Sequence, residues 1–199
     1  MSNIFITADQ HFSHDNIRKH TNRPWNTCEE MDAALIKNWN SIVDKHDLVY
    51  IVGDFAWKEH NHYIMACNGS KILCVGNHDK MSKDCLRNFT EVHSLLRRTI
   101  NKRDVTFCHY CMLTWASSCH GSWHFYGHSH GRIKEFDDCY KMDVGVDLWN
   151  YTPIPWEVIE YKMSLKKKKE FNDCGELENN VKILREANAN ILSKFGFNK

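Results

Sequence analysis

Five short blocks of this chain carry side chains that bind metal ions: Asp9-x-His11, Gly53-Asp54, Gly76-Asn77-His78-Asp79, His109 and Gly127-His128-x-His130. Each block alone has an ordinary explanation, such as an Asp that caps a turn beside a surface His. Together they repeat one pattern, an apolar run that ends in oxygen or imidazole donors. The donors are His, carboxylate and one amide, with no thiolate. Such a set suits Mn²⁺, Fe or Zn²⁺ in a working site better than a structural zinc knuckle. It also holds more donors than one ion needs. Two ions sharing a central carboxylate would use them. Paired ions roughly 3.5–4 Å apart clamp the attacking and leaving oxygens of a phosphoryl displacement and lower the pKa of bound water. Phosphoester hydrolysis is therefore the chemistry to which these residues point.

The elements that must position these donors read as strands: Asn3 to Thr7, Asp47 to Val52, Lys71 to Val75, Val105 to Cys108 and Trp123 to Tyr126. Open α/β sheets bind ligands at the carboxyl ends of their strands, which is where the donors fall. Asp9 and His11 are two apart, so in extended chain they point the same way. Thr27-Cys28-Glu29-Glu30 has the form of a capping box. Met31, Leu35, Trp39 and Ile42 follow it at the spacing of one helix face. A second helix is expected from Phe55, Ala56 and Trp57 to about Met65, and a short one over Lys80 to Phe89. Glu91 to Ile100 reads as a strand or edge. So does Lys141 to Asp147, with Met142, Val144 and Val146 alternating, and Glu157 to Tyr161 reads as a closing strand. The order predicts a mixed α/β sandwich.

A chain of 199 residues can build one well-cored domain with an appendage. The net charge of +1 gives no general attraction to nucleic acid or anionic membrane. No apolar run approaches the length of a membrane span. The N-terminus has neither the basic region nor the cleavage site of a signal peptide. Nine cysteines without such a signal read as buried thiols in a reducing cytoplasm, not as a disulfide framework. Composition changes at Lys166-Lys167-Lys168-Lys169, and Leu177, Val181, Leu184 and Ile191 are spaced as an amphipathic helix. The expected division is a domain over 1–162 and a Lys-rich linker with a C-terminal helix over 163–199.

The five blocks, in order from Asp9 to His130, resemble those of the calcineurin-like metallophosphoesterases. Cys108 stands where that family most often has Gly, a change that removes no ligand. Asp9-x-His11-Phe12-x-His14, His109-Tyr110 and Gly145-Val146-Asp147-x-Trp149-Asn150 narrow the resemblance to small phosphoesterases of bacteria and their phages. The resemblance implies a four-layer αββα fold, two mixed sheets flanked by helices. It implies two divalent metals at the strand ends, Mn²⁺ first, with Fe, Zn²⁺ or Ni²⁺ as alternatives. Asp9, His11 and His130 would hold the first metal, Asn77, His109 and His128 the second, and Asp54 would bridge them. A bridging water or hydroxide would attack phosphorus. His78 would protonate the leaving oxygen or stabilise the transferring phosphoryl group, and Asp79 would orient His78.

The expected activity is a phosphodiesterase on a small, nucleotide-like phosphoester. A phosphomonoesterase and a nuclease on DNA or RNA are the alternatives, and a metal-binding adaptor without catalysis ranks last. His14, Asn16 and Arg18 after the first block, and Tyr110 and Trp115 after the fourth, are candidate substrate contacts. Trp57 and Trp149 offer further stacking surface.

Overall fold

The computed structural model describes residues 2–133, 139–166 and 182–183. The chain divides into two compact units, 1–168 and 169–199. Among the described residues, the first unit carries nine strands in two sheets. The larger sheet runs β4 (Glu91–His93), β3 (Ser70–Cys74), β2 (Leu48–Ile51), β1 (Ile4–Thr7) and β9 (Ile154–Pro155). Its first four strands are parallel, and β9 is antiparallel to β1. The second sheet runs β5 (Leu96–Ile100), β6 (Arg103–Phe107), β7 (Trp123–Tyr126) and β8 (Lys141–Asp143). There β5 is antiparallel to β6 and the other pairs are parallel.

The two-residue period of the strands sorts their side chains into two cores. Phe5, Val49, Ile51 and Leu73 face Met31, Leu35 and Trp39 of helix α2 (Cys28–Ile42). Ile6, Tyr50, Val52, Ile72 and Cys74 face Val105, Phe107, Phe125 and Met142 of the second sheet. Helices α1 (Asp15–His20), α3 (His60–Ala66) and α4 (Lys83–Leu86) complete the helical layer that flanks the larger sheet, and α5 (Trp156–Ser164) adds Trp156, Ile159 and Met163 to the inter-sheet core. This is the αββα sandwich.

Local chemistry sets the element ends. Thr27 Oγ1 accepts from the Glu30 amide at 3.2 Å and opens α2. The Glu30 carboxylate reaches the amide of Asn26 at 2.9 Å, one residue upstream of the usual box partner. The buried face of α2 ends at Trp39, because Ile42 is 40% exposed.

Several elements differ from the sequence expectation. Glu91 to Ile100 is two strands, because the chain changes sheets at Ser94-Leu95: β4 pairs with β3 and β5 with β6. The strand from Lys141 stops at Asp143, whose carboxylate accepts from the Gly145 amide at 2.8 Å; a 3-10 turn follows over Val146–Leu148. Glu157 to Tyr161 is helical, since Trp156, Ile159 and Met163 share one buried face. The helix expected after Trp57 begins only at His60, and Lys80 to Phe89 keeps a single turn capped by Ser82. Apart from 163–166 and 182–183, the expected linker and C-terminal helix lie outside the described residues. Here α5 runs on to Ser164. Among the described residues, no helix is long and apolar enough to cross a membrane.

Candidate metal centre

The five blocks meet at one edge of the sandwich. Strands β1 and β2 end side by side, and their loops continue the pairing: the Asp9 amide donates to Gly53 O and the His11 amide to Asp54 O, both at 3.0 Å. The second sheet is tied in through Val146 N to Ala8 O at 3.0 Å, and within it the ends of β6 and β7 stay paired through Gly127 N to His109 O, also at 3.0 Å. The chain turns sharply at five of the seven donors. Asp9, His11, Asp54, His128 and His130 all hold left-handed backbone, with φ between 46° and 66°. Gly53 is required beside them: its φ is +88°, and a Cβ there would fall 2.3 Å from His109 Nδ1.

Two donor groups result. Asp9, His11 and His130 offer one ligand atom each within 4.8 Å of one another, as do Asp54, His109 and His128. Asp54 touches both groups, with Oδ2 3.5 Å from His11 Nε2 and 3.3 Å from His109 Nε2. Asn77 Oδ1 lies 3.1 Å from His109 Nε2. His78 stands at the rim, its amide donating to Asp54 Oδ1 at 2.8 Å and its ring 5.3 Å from that of His11. Asp79 departs from its expected role as orienter of His78. Its two oxygens accept from the amides of Asp54, Phe55 and Gly76, each at 2.8 Å, so it fixes the backbone that presents Asp54.

Charge in this cluster is set by burial and by neighbours. Burial pushes the Asp9 carboxyl up to about 7, against the pull of His130 and His109. Burial also drives His11 well below its ordinary value, so its imidazole is neutral. Asp54 behaves oppositely: burial disfavours its charge, yet the hydrogen bond and charge of His109 hold it down at about 2. His109 is correspondingly raised, to about 9, by Asp54 and Asp9 against the penalty of burial. The proton on His109 supplies positive charge beside the Asp54 carboxylate.

The residues fit divalent metals. Both nitrogens of the buried His11 ring lack a hydrogen-bond partner, although a buried imidazole ordinarily finds one. His109 Nδ1 donates to Val52 O at 2.9 Å, which leaves Nε2 directed at Asp54 and Asn77. His130 Nδ1 is likewise taken, by Asp147 Oδ2 at 2.7 Å. Rings fixed through one nitrogen with the other turned inward are what metal ligation needs.

A cleft of about 550 Å³ opens from the cluster along α1, lined by His14, Asn16, His20, His78, His128 and Arg132 among others. His14 also caps α1, its Nδ1 accepting from the Ile17 amide. Of the expected substrate contacts, His14 and Asn16 line this cleft. Tyr110 is half-exposed with its ring 4.9 Å from that of His128. Arg18 and Trp115 are not brought there. Arg18 is engaged with Asp15 and with Trp25 O, and Trp115 donates to Ser122 O and packs on the buried His124.

The sequence assigned no role to five contributing residues. Arg132 and His20 frame the cleft through a 3.0 Å bond from Nη2 to the His20 carbonyl. Asp143 holds the His128–His130 loop by accepting from Ser129 Oγ and from the Gly131 amide. Arg23 and Asp147 form a buried ion pair behind His130. Asp147 lay in a noted motif, whereas Arg23, in a polar loop, had no signal of its own.

No protein-family model matches the chain. An uncharacterized protein of Methanocaldococcus jannaschii is 29% identical over 169 residues, 80% of this chain and 90% of that protein. A solved structure of a protein of unknown function from Aquifex aeolicus superposes with a TM-score of 0.63 at 20% identity, covering 81% of this chain and all of the other. One described as a novel archaeal phosphodiesterase gives a TM-score of 0.45 at 18% identity, over 72% of this chain and 83% of that one.

Proposed function

We propose that this chain, which has the fold of the calcineurin-like metallophosphoesterases, is a divalent-metal-dependent phosphodiesterase acting on a small, nucleotide-like substrate. The observation that carries this reading is the pair of three-residue donor groups with Asp54 between them, opening on a cleft beside His78. Asp9, His11 and His130 would hold one ion, Asn77, His109 and His128 the other, and Asp54 both. The mixture of imidazole, carboxylate and amide favours Mn²⁺, with Fe, Zn²⁺ or Ni²⁺ as alternatives. When bound, such a pair activates water and polarises the phosphoryl oxygens.

The protein's own residues then do the rest. Asp54 is held by three constraints, the Asp79 bonds to the amides of Asp54 and Phe55 and the His78 amide on its Oδ1, so it keeps its place between the groups. His78 sits at the mouth of the cleft with its backbone fixed and its ring at the rim, in position to give a proton to the leaving oxygen. His14, Asn16, His20 and Arg132 present hydrogen-bond donors along the cleft. Trp57, 42% exposed and with its ring 5.1 Å from that of His78, offers a planar face for a base on the leaving side.

The test is metal-resolved hydrolysis. The protein is stripped with chelator, Mn²⁺, Zn²⁺, Fe²⁺ or Mg²⁺ is restored singly, and an aryl phosphodiester is offered beside an aryl phosphomonoester. Two bound ions per chain and preferential diester cleavage support the reading. Monoester preference replaces it with a phosphatase. Stoichiometric metal with turnover on neither these esters nor a panel of nucleotide diesters favours the adaptor.

A further inference from the structure

Behind the first donor group lies a buried pair that links residues 124 positions apart in sequence. The Arg23 side chain is wholly enclosed. Its Nε donates to Asp147 Oδ1 at 2.8 Å and its Nη2 to Oδ2 at 2.9 Å, a bidentate fork. The remaining donors do not go to water. Nη2 also reaches Asp9 O at 2.7 Å, and Nη1 reaches Gln10 O at 2.8 Å. The same Asp147 Oδ2 also accepts from His130 Nδ1, at 2.7 Å. One guanidinium thus fixes the backbone of Asp9 and, through one carboxylate, the ring of His130.

We infer that Arg23 and Asp147 act as a brace that positions the first donor group, Asp9, His11 and His130, for its metal ion and bears on the second group only indirectly, through Asp9. The inference rests on the metal-dependent reading above. The physical argument is one of degrees of freedom. A His ring on a left-handed loop residue can rotate, and a ring that rotates costs affinity each time it must be brought to a metal. A carboxylate on Nδ1 holds the ring and leaves Nε2 to coordinate. Asp147 could itself swing, and the fork of Arg23 prevents that. A lysine would give a point charge without the paired geometry. The bonds from Arg23 to the Asp9 and Gln10 carbonyls set the second ligand of the same group against the same anchor. By contrast, two members of the second group are held from elsewhere, His109 by Val52 O and Asp54 by Asp79, and only the His128 amide, which donates to the Asp9 carboxylate, leans on the first. The brace therefore meets the first group directly and the second only through Asp9, so weakening it falls mainly on the first.

The experiment uses the full chain, freed of metal and titrated with Mn²⁺ against a competing fluorescent chelator. Wild type should bind two ions. Asp147→Asn, nearly isosteric, and Arg23→Lys should each weaken one site by about 10–100-fold, the usual effect of losing such an outer partner. The other site should weaken far less. Metal-free melting curves are recorded for both variants, and if Arg23→Lys fails to fold, Asp147→Asn carries the test. Two sites of unchanged affinity in Asp147→Asn would overturn the brace. So would equal weakening of both sites, which is the mark of a merely structural pair gluing loops together. A wild type that binds no Mn²⁺ overturns the metal reading itself and the brace with it.

Discussion

A Cβ placed on Gly76 would lie 2.3 Å from Asp54 Oδ1 and 2.6 Å from the Asp54 amide nitrogen. The loop after β3 thus passes the loop after β2 at a distance only glycine permits, and the carboxylate shared by the two donor groups lies at that crossing. Because one of the atoms met is backbone, Gly76→Ala cannot be accommodated by turning a side chain. We expect it to destabilise the metal-free protein by about 1–3 kcal/mol, the range for overpacking, and to lower metal binding by both groups. Urea unfolding and Mn²⁺ titration check this. Wild-type affinity in the variant would show that Asp54 can move without consequence.

Asp54→Ala should remove metal from both groups at once, because Oδ2 faces His11 and His109 alike. Turnover should fall by at least about 100-fold, the scale for losing one preorganised electrostatic group. Elemental analysis after gel filtration gives the metal content. One ion retained per chain would mean that Asp54 belongs to a single site.

His78→Ala should keep both ions, since only the backbone of His78 touches Asp54. Its effect should depend on the leaving group. Esters of alkyl alcohols should lose about 10²–10⁴-fold in kcat, the range for general acid catalysis, while nitrophenyl esters, which need no proton, should lose much less. An equal loss across a leaving-group series would sink the proton-donor role and leave phosphoryl stabilisation in its place.

His124 makes stability depend on pH. It is fully buried on β7, its Nδ1 donating to Thr106 O and its Nε2 accepting from the Met112 amide. Burial is the main reason that its pKa is lowered to about 4, and Lys141 on the neighbouring strand acts in the same direction. The folded protein keeps this ring neutral where the unfolded chain would take up a proton. The stabilisation is therefore complete above about pH 6.5 and lost as pH falls toward 4, with a full swing of roughly 3 kcal/mol. Between pH 7 and 5 the metal-free wild type should lose roughly 2 kcal/mol more stability than His124→Gln. Parallel pH slopes for the two proteins would show that His124 takes up its proton without unfolding cost.

The parts legible in the sequence were those fixed by local pattern. Apolar runs such as Ile72-Leu73-Cys74 announce strands whichever sheet they join, and Gly53, Gly76 and Gly127 announce the turns that present donors. Partners decided elsewhere were not legible. Nothing in Glu91 to Ile100 says that its first half pairs with β3 and its second with β6. The helical face of Trp156, Ile159 and Met163 looks like a strand when only Glu157 to Tyr161 is considered. Asp79 follows His78 in sequence, yet it serves amides 24 and 25 residues away. Trp115 is aromatic and follows a donor block, and only the three-dimensional path of its loop turns it to the outer face of the second sheet.

The left-handed backbone at Asp9, His11, Asp54, His128 and His130 has an evolutionary corollary. An L-residue in that conformation carries a conformational penalty of roughly 1–2 kcal/mol that glycine would escape. At these five positions a substitution to glycine would relax the backbone and erase a donor in the same step. Drift toward greater stability and drift toward an inert scaffold run in the same direction here, so the centre persists only while selection acts on what it does.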